Sequence, residues 1–528
     1  MHPLRQRILE VFRRRGIPAA LGVTLLLIYT RTLLPGVGGT GDTAKFQFVG
    51  RYLGTPHATG YPTYIFLNHV FTSLFPLGST AYRANLLSAV FATLACLVLY
   101  QTLVLHGVSR WIAVATALTL GLTTTLWSYA VVAEVYTLHL LFVSAVIFFL
   151  TLWMRTGRDR HFYLWVGCLA FAFGNHMTSL WLVPAVAYAI WACDRRALRD
   201  RRKWVWVAAL FGLSGLQYLY FVWRTHDPTT VYLEMRASSL RQFLWYVTGA
   251  QFRSAFLAFT PVQLLTVRLP VFGKFLWDQL SVLLVLAVVG FVSLSSRRLQ
   301  WLLGLYFVAN AAYALNYAIP DIDAYFLPNV YVLVLCLGFG AEAIMRSLGS
   351  WGQRAVILAA LVMPLSLAAV NFRKVDQHDN TAKEKETLAT LRAVDHDGLV
   401  ISFNYDVYEY LMYYRIAEGW GARNIHLVYR QDPSAVLNDV KSYLRGANPY
   451  GEVPAKLSVF LTGVSAEVVG RFSEGGLAVK EAKAGLLFRI ALPAMDDNSS
   501  GSGGNSGGDA RVAGQIRGAA IGRRARQR

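Results

Sequence analysis

The sequence predicts an all-α polytopic membrane domain of about 11 transmembrane helices, followed by a C-terminal soluble α/β domain. Three observations predict it. Of 528 residues, 55% are hydrophobic and 15% charged, with a mean hydropathy of +0.40; soluble domains are nearer a quarter charged. Apolar runs of the roughly 20 residues needed to cross a bilayer recur between residues 17 and 372. From about residue 376 the apolar runs shorten and alternate with helical patterns.

The expected spans lie near 17–35, 84–105, 110–128, 134–154, 162–176, 177–193, 204–223, 277–296, 300–318, 326–346 and 354–372. The pair 162–176 and 177–193 is short, and one long tilted helix is the alternative. Positive-inside bias decides for two spans. With the N-terminus inside, the inner loops hold Arg155, Arg158 and Arg160, then Arg195, Arg196, Arg199, Arg201, Arg202 and Lys203, then Arg297 and Arg298. The short outer loops 129–133 and 319–325 carry no Lys or Arg. Arg5, Arg7, Arg13, Arg14 and Arg15 precede the first apolar run, which no small-residue cleavage site closes, so an uncleaved first span is expected.

Two long segments then lie outside, 36–83 and 224–276. Phe48, Val49, Tyr52 and Leu53, and then Tyr64, Leu67, Asn68 and Phe71, recur with helical spacing. They predict two helices in the membrane interface. Domain boundaries follow composition: a membrane domain over 1–375, an outer α/β domain over 376–495, and a disordered Gly/Ser/Arg-rich tail over 496–528. In the soluble part, strands are expected at 398–403, 425–429, 456–462 and 485–492, and helices at 406–417, 432–446 and 465–473. No internal repeat of the transporter kind is visible.

The formal net charge is +20. Nucleic acid is excluded as its target, because the arginines cluster at the ends of apolar runs, where topology and lipid headgroups place them. Cys96, Cys168, Cys193 and Cys336 lie in or beside apolar runs and read as small buried residues, with no disulfide or zinc framework.

Ionisable groups beside spans are functional candidates, because burying them is expensive. Asp42, His57, Glu134, Asn175, His176, Asp321 and Asp323 all fall at the outer side of this topology. Such one-sided clustering suggests a reaction centre. Plainer roles stay open for each: an N-cap for Asp42, a loop anchor for His57, an ion pair or cap for Glu134, a helix-break ligand for His176 and turn residues for Asp321 and Asp323. Arg253 has an alternative as a headgroup contact. The Tyr and Trp excess reads as interface anchoring.

Gly41-Asp42-Thr43-Ala44-Lys45-Phe46, His57 through Gly60-Tyr61-Pro62, Tyr82 through Ala89 and Ala133-Glu134-Val135-Tyr136 together resemble the bacterial relatives of the transmembrane, plexin-type protein O-mannosyltransferases. Gly174-Asn175-His176-Met177-Thr178, Val247 through Arg253 and Asn316 through Asp321 extend the resemblance across residues 20–372. It implies the glycosyltransferase C fold, a polyprenyl-phosphate sugar donor, mannose as the sugar, and an Asp in the first outer loop as catalytic base, here Asp42. The family often has an acidic residue three positions later, where this chain has Lys45. That departure weakens any metal site needing a second carboxylate there.

The expected catalytic residues are therefore Asp42 and Glu134. The expected donor-binding residues are His57, Tyr61, Arg83, His176, Arg253, Asp321 and Asp323. A carboxylate takes the proton of the acceptor hydroxyl, and cations such as Arg253 and His176 stabilise the departing lipid phosphate. Displacement from one face inverts the anomeric carbon. No cofactor or metal is expected, with a divalent cation on Asp321 and Asp323 as the open alternative. The partners expected are the lipid-linked sugar, membrane lipids and a protein, glycan or lipid acceptor. The expected location is a bacterial inner membrane, with the site and the α/β domain facing the periplasm. The competing functions are a lipid or glycolipid transporter, and a scaffold whose outer domain binds a partner.

Overall fold

The computed structural model describes residues 15–394, 397–420 and 424–493. The expected tail over 496–528 and all but one of the N-terminal arginines lie outside the described residues. The chain divides into two compact units, Met1–Thr381 and Ala382–Arg528.

In the first unit a helix occupies each of the eleven expected positions, but they are unequal. Thr80–Leu105, Tyr136–Thr156, Arg201–His226, Leu327–Ser347 and Ser350–Val375 are long and apolar enough to cross a membrane. Two bent pairs raise that number to seven. Arg110–Gly121 and Thr124–Ala130 meet at 68°, and Pro261–Leu280 and Leu283–Val292 at 99°. The second bend corrects the expected straight span at 277–296: the apolar helix begins at Pro261 and breaks at Ser281, whose φ is 49°. Ile17–Arg31 and Met177–Cys193 are shorter apolar helices. Asp159–Phe173 ends before Gly174, so 162–193 is two helices.

Burial separates the packed helices from the peripheral ones. Thr80–Leu105 starts on Ser79, whose hydroxyl accepts from Tyr82 N–H, and most of its residues are buried. Ser350–Val375 exposes Trp351, Leu358, Val362, Leu365 and Val370, an apolar face suited to lipid. Leu283–Val292 crosses Leu327–Ser347 at close range. A Cβ on Gly290 would lie 1.8 Å from the Cys336 carbonyl oxygen, and one on Gly340 2.2 Å from that of Leu286. Small residues permit this approach.

The segment after the first helix departs from expectation. A short helix, Thr43–Phe46, leads into turns through Leu53, where a helix was expected. Gly50 and Gly54 interrupt that stretch, and Phe48 and Val49 are fully buried, not interfacial. The second expected helix is present as Pro62–Leu74.

The second unit is a five-stranded sheet with helices: β1 (Asp397–Ser402), β2 (Asn424–Tyr429), β3 (Ser458–Thr462), β4 (Ala478–Lys483) and β5 (Leu487–Ala491). Strand order is β2-β1-β3-β5-β4, with β1 parallel to β2 and β3, and β5 antiparallel to β3 and β4. Leu399, Ile401, Val459 and Leu461 project into a core shared with Val436, Val440 and Phe472. Helices Tyr405–Ala417 and Pro433–Leu444 connect the parallel strands, each capped by its preceding Asn404 or Asp432.

Candidate active site

Asp42 stands at the N-cap position of Thr43–Phe46, yet its carboxylate makes no capping bond. It is turned elsewhere. Oδ1 lies 2.9 Å from Lys45 Nζ and Oδ2 3.5 Å from His57 Nε2. A spacing of three residues puts Asp42 and Lys45 on one helix face. Lys45 is fully buried and meets two further acceptors, Glu234 Oε2 and His57 Nδ1, each at 2.8 Å. An ammonium has three donors, and three acceptors surround this one. Because Lys45 donates to Nδ1, the imidazole of His57 carries its proton on Nε2, facing Asp42 and the Tyr61 hydroxyl at 2.9 Å.

The loop bearing His57 is held from outside. Thr55 N–H donates to the Tyr232 carbonyl, Glu234 N–H to the Thr55 carbonyl, and the Tyr246 hydroxyl to the Pro56 carbonyl at 2.6 Å. Gly60 takes φ 87° against the Phe221 ring, where a Cβ would lie 2.3 Å from Cζ. The segment 232–246 thus supplies Glu234 and fixes His57.

Charge sorts the acids. Burial pushes the Asp42 carboxyl up, but His57 and Lys45 outweigh it and hold it at about 2. Its side chain keeps 35% exposure, so an ionised oxygen can be reached. Burial pushes Glu134 well above the usual carboxylate range, and Asp42 adds to the rise. Its Oε1 accepts from the Thr43 hydroxyl at 3.0 Å, and its N–H donates to Ser88 Oγ. Burial also lowers His57, against the pull of Asp42.

Beside this group opens a cavity of about 230 Å³, lined by Tyr61, His176, Phe252, Arg253, Tyr313, Tyr317 and Tyr325 among others. Tyr313 and Tyr317 stack at 5.2 Å, and Tyr325 sits 5.4 Å from Tyr317 and 5.2 Å from His176. His176 also serves its helix, its ring accepting from Thr178 N–H. Arg253 is exposed on the cavity wall, with no acid at ion-pair distance among the described residues. The Tyr136 hydroxyl donates to Asp321 Oδ2, tying Asp321 to the far side of the same aromatic wall.

Two expected residues lie apart. Arg83 donates to the Thr72 and Phe75 carbonyls, so its guanidinium closes the end of Pro62–Leu74. Asp323 lines a different cavity, of about 500 Å³, with Asp278, Gln279, Tyr129 and Lys374. Two residues that sequence reasoning passed over are central. Lys45 stood out only as a departure, and nothing marked Glu234. The tyrosines expected at the membrane interface include the cavity wall. Among the described residues, no cluster of three or more His, Cys, Asp or Glu is placed to hold a metal ion.

Solved structures decide the fold. The crystal structure of ArnT from Cupriavidus metallidurans bound to undecaprenyl phosphate superposes with a TM-score of 0.63, covering 91% of this chain and 98% of that one at 10% identity. Its apo form gives 0.53 over 90% and 99%. The fold is that of ArnT. The many-helix architecture expected from the sequence is therefore shared with that structure. Residues 42–199, a stretch that contains Asp42, His57, Glu134 and His176, match the family model of the protein O-mannosyl-transferase TMEM260 N-terminal domain. Two curated relatives also match part of the chain. Protein O-mannosyl-transferase tmem260 of Dictyostelium discoideum is 26% identical over 188 residues, 35% of this chain and 21% of its own length. TMEM260 of Mus musculus is 31% identical over 125 residues, 24% and 18% respectively. The matched stretch spans about a fifth of either relative. With its apolar helices, the chain is an integral membrane protein.

Proposed function

We propose that this chain is an inverting glycosyltransferase that moves a sugar, mannose, from a polyprenyl-phosphate donor to an acceptor hydroxyl on the extracytoplasmic side of the membrane, with Asp42 as general base. One observation carries the proposal: an ionised, reachable carboxylate, fixed by Lys45 and His57, stands beside an aromatic cavity that also presents the unpaired Arg253. The names of the relatives support mannose and a protein acceptor, and the undecaprenyl phosphate bound to ArnT supports the donor class.

In this mechanism the acceptor oxygen attacks the anomeric carbon as the bond to the phosphate oxygen breaks. The electron pair leaves on the polyprenyl phosphate, where Arg253 meets the growing charge. The acceptor proton passes to Asp42. A carboxylate held at about 2 is a weak base toward an alcohol. It suffices once the new C–O bond has made that hydroxyl strongly acidic, so proton transfer is late. The tyrosine wall faces the sugar ring. Glu134, whose carboxyl burial pushes up, serves as a positioning residue: it accepts from the Thr43 hydroxyl and so holds the turn beside Asp42. Lys45 occupies the place between the two carboxylates Asp42 and Glu234, so no divalent cation is required there.

The test uses purified protein in nanodiscs with radiolabelled polyprenyl-phosphate mannose and separated protein, glycan and lipid acceptors. Label in the protein fraction, with the anomer opposite to the donor's, supports the proposal. Retained configuration, or translocation of the lipid without transfer, contradicts it.

A further inference from the structure

A separate cavity of about 640 Å³ is lined by Met235, Arg236, Ser239, Arg241, Gln242 and Trp245. It shares no residue with the aromatic cavity. Arg236 and Arg241 are exposed on it, and neither has an acid partner among the described residues. No carboxylate lines it. Two unmatched guanidiniums at one concavity create a positive potential that favours a phosphate.

The surrounding helix supplies the second observation. Leu240–Val247 begins on Ser239, whose hydroxyl accepts from Gln242 N–H. Tyr246 faces inward, bonded to Pro56. Leu240 is 73% exposed and Leu244 51%, while Trp245 adjoins Arg241 one turn away. Apolar residues, an indole and an arginine on one short helix describe an element lying at headgroup level.

We propose that this cavity binds the phosphate of a net-anionic glycerophospholipid, with Arg236 and Arg241 on the phosphate and the acyl chains along Leu240 and Leu244. The absence of a lining carboxylate disfavours zwitterionic headgroups, whose ammonium would meet the arginines. The donor's own phosphate belongs near Arg253, because transfer needs it within reach of Asp42. Binding itself does not rest on the transfer reading. It does adjoin that site: Glu234, two residues before Arg236, bonds Lys45, and the Met235 carbonyl accepts from the Thr55 hydroxyl. A lipid held by Arg236 steadies the segment that carries Glu234.

The experiment is native mass spectrometry of the full chain released from vesicles containing equal phosphatidylglycerol and phosphatidylcholine, with and without polyprenyl phosphate. Wild type should retain phosphatidylglycerol preferentially, and the Arg236→Gln/Arg241→Gln variant should retain it roughly thirtyfold less, at about fivefold per arginine near a membrane surface. Equal retention by both proteins, or retention of polyprenyl phosphate alone, overturns the proposal. A second measurement needs no variant. Photoactivatable phosphatidylglycerol should label wild type within residues 235–245, and labelling confined to other segments overturns it.

Discussion

Two cavities in the membrane unit have carboxylates in or beside them whose charge is set in opposite ways. Beside the aromatic cavity, Asp42 and Glu234 share the buried ammonium of Lys45, and Asp42 stays ionised at about 2. In the larger cavity, Asp278 and Asp323 line one space with Lys374, and burial, then Asp278 and Asp321, push Asp323 up. Each place has carboxylates, a hydroxyl and a lysine: Asp42, Glu234, Tyr61 and Lys45 beside the first cavity, and Asp278, Asp323, Tyr129 and Lys374 lining the second. What differs is where the lysine sits. A cation buried between two acids fixes their charge and position, whereas a cation on the rim leaves like charges to raise one another. An acidic cavity becomes a candidate for proton transfer only when its charge state is set by a neighbour.

The sharpest way to break this comparison is to remove the cation. Lys45→Met leaves Asp42 and Glu234 facing each other and should cost roughly 3–5 kcal/mol of stability, read as a large drop in thermal unfolding temperature in detergent. In whatever fraction folds, the acid limb of the pH–rate profile should move to higher pH, because Asp42 loses the Lys45 ammonium that, with His57, holds its carboxyl down. Lys45→Arg should recover part of the stability and less of the activity, since a planar fork cannot copy three diverging donors.

A smaller effect concerns Glu134. Its folded carboxyl lies above its unfolded value of about 4.3, so folding must retain a proton that the unfolded chain releases once pH passes that value. The stability Glu134 contributes is whole below that pH and falls as pH rises. Glu134→Gln should therefore match wild type near pH 4 and become more stable relative to it as pH rises above that value, by thermal shift. Asp42 has the opposite sign: its stabilising share is present above about 4 and is lost as pH falls toward 2. Asp42→Asn should thus flatten that acid transition.

The fold was largely legible because lipid imposes long apolar runs, and those runs mark their own positions. Kinks were not legible: nothing in the apolar run around Ser281 announces a 99° bend. β4 was missed because Lys480, Glu481 and Lys483 give an exposed edge strand no apolar alternation. Within the site, Asp42, His57 and Tyr61 were visible because they crowd one loop. Lys45 was visible but unreadable, since its second carboxylate, Glu234, arrives from a segment distant in sequence. Asp321 and Asp323 looked equivalent in sequence; the short helix Ile322–Tyr325 sends one to Tyr136 and the other to the second cavity.

The most direct test compares Asp42→Asn with Asp323→Asn for sugar transfer in the same nanodiscs, each checked for a cooperative unfolding transition well above the assay temperature. The account predicts a loss of about a hundredfold or more for Asp42→Asn and a change within about twofold for Asp323→Asn. Equal losses, or a larger loss at Asp323, would contradict it.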